Sequence, residues 1–125
     1  MTPEIETQIK AYLADEAKLY QDWYTSITQT EDTQYTKEVR MIPKVSALKE
    51  MCEGWIKQES PALKEKLCPP YCQKRLEYQD QETWLIAAMA DILTVSFTGV
   101  PINSVAVAVI LVTTKRLDRF CECSK

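Results

Sequence analysis

The chain has 125 residues, with 15 basic and 18 acidic side chains, five cysteines, two glycines, no histidine and a 46% hydrophobic content. Such a length suits one domain with a buried core, and the composition excludes collagen-like, low-complexity and wholly disordered chains. Without histidine there can be no Ser-His-Asp or Cys-His nucleophile and no imidazole metal ligand, and a net charge of −3 with no dense basic stripe argues against nucleic acid as a partner.

Thr2, Pro3 and Glu4 read as a helix start: a hydroxyl cap, proline at the first helical position, and an acid that complements the helix dipole. Apolar residues at Ile5, Ile9, Tyr12, Leu13, Leu19, Tyr20, Trp23 and Ile27 then keep to one helical face, which predicts a helix over residues 3–25. Residues 28–36 are rich in Thr, Gln and acid and read as a loop, with 36–42 as a turn before the next element. Val45, Leu48, Cys52, Trp55 and Ile56 predict a second helix over 43–58, opening at Pro43. Ser60-Pro61 is another cap-and-proline start and predicts 61–68, which Pro69-Pro70 stops. From Tyr71 a polar helical stretch runs into an apolar one, giving a helix over 71–98 closed by Gly99 and Pro101. The last helix spans 103–121. Its Val105–Val112 stretch also suits a strand, but nothing else in the chain offers a sheet to join. The expected fold is an all-α single domain over 1–125: a compact bundle of four to five helices whose core is an apolar C-terminal antiparallel helical hairpin.

From residue 92 to residue 114 no side chain is charged, and Lys115, Arg116 and Arg119 follow, so a membrane span near 92–114 is an alternative to a protein core. Gly99, Pro101, Asn103 and Ser104 interrupt that run where a turn between two core helices is expected. Asp91 at its start shares helical spacing with Thr83, Ala87, Thr94 and Thr98, which reads as a narrow solvent-facing strip rather than a buried functional acid.

The cysteines form the one constellation with chemistry in it. Cys68-Pro69-Pro70-Tyr71-Cys72 and Cys121-Glu122-Cys123 are far apart in sequence, yet an antiparallel hairpin returns Arg119–Cys121 towards the end of the bundle that holds Cys68 and Cys72. Three readings follow. Cys68, Cys72, Cys121 and Cys123 could ligate zinc or an iron–sulfur cluster, they could form disulfides, or Cys52, Cys68 and Cys121 are small buried hydrophobes while Cys72 and Cys123 are exposed thiols. Trp23, Trp55 and Trp84 are expected as core anchors, and Tyr24, Tyr35, Tyr71 and Tyr78 as exposed partner-facing residues.

No phosphate loop, His-Glu-x-x-His or paired-carboxylate pocket is readable, and no catalytic or cofactor-binding residue is assigned. The sequence therefore leads to a small non-enzymatic protein–protein interaction or accessory helical domain, acting on a protein partner or by self-association, with a membrane-anchored protein or a cysteine-ligated metal or redox protein as alternatives. A cytoplasmic location is expected, because the first residues lack a signal-like pattern and the cysteine number is odd.

Overall fold

The computed structural model describes residues 3–28, 44–97 and 102–121. Among them are six helices and no strand: α1 Pro3–Ala14, α2 Glu16–Thr28, α3 Val45–Glu77, α4 Glu82–Ser96, α5 Ser104–Thr113 and α6 Arg116–Cys121. The fold is thus a compact all-α bundle. The predicted loop over 28–36, the turn before Pro43, and Gly99 and Pro101 lie almost wholly outside the described residues.

The predicted helix over 3–25 is two helices. Asp15 ends α1 and caps α2, its carboxylate accepting the N–H of Lys18 at 3.1 Å. This is the aspartate N-cap that satisfies an orphan donor of the first turn. The unbroken apolar spacing hid the break, because Ile9 and Tyr12 of α1 and Leu19, Tyr20 and Trp23 of α2 are all buried in the same core.

In the opposite direction, the predicted helices over 43–58 and 61–68 and the polar start of 71–98 are one 33-residue helix, α3, which contains Pro61, Pro69 and Pro70. Each proline lacks an N–H and leaves the carbonyl four residues back without its helical donor. At Pro61 the neighbouring hydroxyl fills the gap: Ser60 Oγ donates to the Lys57 carbonyl at 3.0 Å. Pro69 and Pro70 orphan the carbonyls of Glu65 and Lys66, two exposed residues whose backbone can turn to water. Leu48, Cys52, Ile56, Leu63, Leu67 and Tyr71 form the buried stripe that carries the helix through all three. The helix stops at Tyr78, whose N–H bonds to the Lys74 carbonyl.

α4 and α5 form the most extensive helix pair. Every residue from Val105 to Val112 is buried, as are Leu85, Ile86, Ala87, Met89, Ala90 and Leu93 on α4. The apolar run of 92–114 is divided between helices of 15 and 10 residues. Among the described residues no helix is long and apolar enough to cross a membrane. The expected strip on α4 is also rotated: Ala87 is buried, while Trp84, Asp91, Thr94 and Val95 are exposed.

Asn103 caps α5 and ties its start to the N-terminal helices. Its Oδ1 accepts the Ala106 N–H at 3.1 Å, its Nδ2 donates to Tyr12 Oη at 3.1 Å, and its own N–H donates to Ser26 Oγ at 3.1 Å. Ser26 Oγ in turn donates to the Trp23 carbonyl, and Tyr12 Oη donates to Asp22 Oδ2 at 2.8 Å.

The predicted helix over 103–121 is likewise broken. α5 ends at Thr113, and Lys115 adopts a left-handed backbone with φ 62. Its N–H bonds to the Val112 carbonyl, closing the turn as glycine usually does. The six residues of α6 then lie against α3.

Candidate functional site

The pole where α6 meets α3 gathers most of the chemistry in the molecule. Cys68 and Cys121 are joined by a disulfide with Cα atoms 5.1 Å apart, and Cys72, one turn further along α3, is also disulfide-bonded. Beside them Tyr71 Oη donates to Asp118 Oδ1 at 2.7 Å, and Arg75 Nε lies 3.5 Å from the same oxygen. Burial raises the Tyr71 phenol well above its ordinary value, and the bond to Asp118 raises it further. Leu117 is fully buried, and the Lys64 ammonium lies 5.8 Å from the centre of the Phe120 ring.

The structure therefore brings together three of the four sequence-assigned metal candidates, Cys68, Cys72 and Cys121, while Cys123 lies outside the described residues. In this oxidised form none of the three is a thiolate, and a metal on this set would require the reduced chain. Among the described residues no group of three or more cysteine or acidic side chains is arranged to hold a metal ion. Of the cysteines expected as buried hydrophobes, Cys52 is one: it is buried and free. Cys68 and Cys121 are half-buried and bonded to each other.

Cys52 lines a cavity of about 210 Å³ with Tyr20, Ile56, Ile110, Thr114 and Arg116. Burial pushes its thiol up to about 12 from an ordinary value of 9.0; the Arg116 charge opposes the shift and that of Glu53 adds to it. Arg116, the first residue of α6, pairs with Glu53 on α3 and is itself largely buried. Its Nε has no hydrogen-bond partner. Lys49 pairs with Glu16 at 2.8 Å and lies 5.8 Å from the centre of the Tyr20 ring, which ties α2 to α3 across the same cavity.

A second cleft of about 210 Å³ opens at the turn between α3 and α4, lined by Tyr71, Tyr78, Leu85, Val112, Lys115 and Asp118 among others. Tyr78, which lines it, pairs with Trp84, the ring centres 6.2 Å apart. Trp84 is 43% exposed and Leu76, on the last turn of α3, is 71% exposed. Two sequence expectations are corrected here. Tyr71 is a buried core residue rather than an exposed one, because it continues the Leu63–Leu67 stripe. Trp84 is not a core anchor, because α4 presents it outwards. Trp23 is the fully buried tryptophan, edge-on to half-buried Trp55 at 6.0 Å. Tyr24 and Tyr78 are half-buried, and Tyr35 lies outside the described residues.

Compared with known protein families, with curated proteins and with solved structures, the chain matches none of them.

Proposed function

We propose that this chain is a small non-enzymatic helical domain that acts by binding another protein, and that the aromatic shelf of Tyr78 and Trp84 is the surface it uses. The observation that carries this reading is the pairing of exposed Trp84 with half-buried Tyr78, which itself lines a cleft together with Leu85 and Val112. Tyrosine and tryptophan are over-represented at interfaces, where one large ring supplies much contact area at a low entropic cost. The Cys68–Cys121 bond also bears on location. Disulfides persist in oxidising compartments, so this bond favours such a setting over the cytoplasm expected from the sequence.

The experiment compares the wild-type chain with Trp84→Ala as bait in the native host, with size exclusion alongside to detect self-association. A protein retained by the wild type and lost with Trp84→Ala, or a wild-type dimer that the variant fails to form, supports the reading. Identical retained proteins and identical elution for both chains reject the shelf as the binding surface.

A further inference from the structure

We propose that α6 is a strap latched by thiol–disulfide exchange, and that its release uncovers the buried Cys52 thiol. Four observations meet in this device. The strap is a six-residue helix, too short to persist as an isolated helix, and Leu117 is its single fully buried residue. It is joined to α5 through Lys115, the described non-glycine residue with a left-handed backbone, so a strained hinge stands at its base. Its far end is bonded through Cys121 to Cys68, and both cysteines are half-exposed, within reach of an attacking thiolate. Its first residue, Arg116, lines the cavity that Cys52 also lines and pairs there with Glu53, the neighbour of Cys52 on α3.

The latch is also placed on the weakest turn of α3. Pro69 and Pro70 directly follow Cys68 and remove two consecutive backbone hydrogen bonds, so this turn holds its shape with less help from the helix itself. The cross-link supplies the connection that the backbone lacks there.

The chemistry is an ordinary dithiol exchange. One thiolate of a dithiol reductant attacks a sulfur of the Cys68–Cys121 bond and forms a mixed disulfide. The second thiol of the reductant then closes its own disulfide ring. Two electrons and two protons pass to the pair, which ends as two thiols, and the reductant ends as a disulfide. The bond at Cys72 yields to the same exchange; with both open, the short helix swings away from α3 about Lys115, Arg116 leaves Glu53, and solvent reaches Cys52. Oxidising surroundings keep the strap closed, and a dithiol reductant opens it.

The test uses the full chain, as isolated and after reduction with dithiothreitol, given a pulse of N-ethylmaleimide under native conditions. Modification at Cys52 is read by peptide mass spectrometry, with helical circular dichroism recorded on the same samples. Modification of Cys52 is expected to be at least tenfold faster after reduction, with the helical signal retained. The triple variant Cys68→Ser/Cys72→Ser/Cys121→Ser, which removes both bonds of this pole, should behave like the reduced chain without any reductant. An unchanged Cys52 rate in the reduced chain or in the triple variant overturns the proposal. So does a faster rate accompanied by loss of the helical signal, because the bond would then hold the whole fold rather than a strap. None of these readouts depends on the aromatic shelf, so this proposal and the binding reading fail independently.

Discussion

Cys52 and Tyr20 face one another across a small cavity, and burial raises both: the thiol from 9.0 to about 12 and the phenol from 10.0 to about 12. Above pH 9 the unfolded chain loses its Cys52 proton while the folded chain keeps it until about pH 12. The folded state therefore binds more protons in that window, and stability falls as pH rises. Tyr20 adds the same effect between about pH 10 and 12. The contribution is fully present below pH 9 and declines by up to about 1.4 kcal/mol per pH unit for each group. Urea midpoints from pH 8 to 11 should show the fall beginning near pH 9 in the wild type and nearer pH 10 in Cys52→Ala. Parallel curves for the two proteins would remove Cys52 as the cause. Asn103 shows the same economy of groups without any charge: as a helix cap it was readable as a turn residue, but its bonds to Tyr12 and Ser26 reach 91 and 77 residues back along the chain. No local pattern encodes contacts at such separation.

At the scale of elements, the joint between α5 and α6 costs stability because lysine occupies a position that suits glycine. A side chain in the left-handed region crowds its own carbonyl, by roughly 1 kcal/mol or more. Lys115→Gly should therefore raise the unfolding free energy by about 1 kcal/mol in urea titration. A neutral or negative effect would mean that the Lys115 side chain makes a contact worth more than the strain. This joint also marks a limit of sequence reading. Thr113-Thr114-Lys115 carries neither glycine nor proline, so the expected helix ran on to Cys121, and the break arises because the strap has to turn onto α3. The prolines misled in the other direction. Pro61, Pro69 and Pro70 are strong stop signals locally, yet they face outwards or sit half-buried, and Ser60 and water can serve the carbonyls they orphan. The Leu48-to-Tyr71 stripe, with its four-residue steps, was the signal that could have revealed one continuous helix. What was legible was the apolar hairpin, since a helix apolar all round suits a bundle centre or a bilayer and the turn residues Gly99, Pro101, Asn103 and Ser104 pointed to the former; Val105–Val112 is buried throughout. From that hairpin alone, the meeting of Cys121 with the Cys68 end of the bundle could be foreseen, because antiparallel helices return the chain to where it began. The choice among thiols, metal and disulfide could not, since all three use the same approach of sulfurs.

For the molecule as a whole, the cross-link spans 53 residues of sequence and encloses α4 and α5, the core itself. Closing a loop of that size restricts the unfolded chain and, in the chain-entropy account, stabilises the fold by about 4 kcal/mol. Set against a usual domain stability of roughly 5–15 kcal/mol, that is a large share. Removing both bonds of this pole with Cys68→Ser/Cys72→Ser/Cys121→Ser should lower the unfolding free energy by at least about that amount in guanidinium titration, while a change below about 1 kcal/mol would show that the unfolded chain is already compact around this pole. Surface ion pairs such as Lys10–Glu6 and Lys18–Asp22, by comparison, lie within single helices and are worth little individually.

The same ring has a mechanical consequence. If the molecule is pulled by its two ends, the force travels through the sulfur bridge and bypasses the hairpin. At about 3.4 Å per extended residue, the bridge holds roughly 180 Å of chain out of reach of the pull. A stretched oxidised molecule can give up α1, α2 and the first part of α3, while α4 and α5 carry no tension until the sulfurs part.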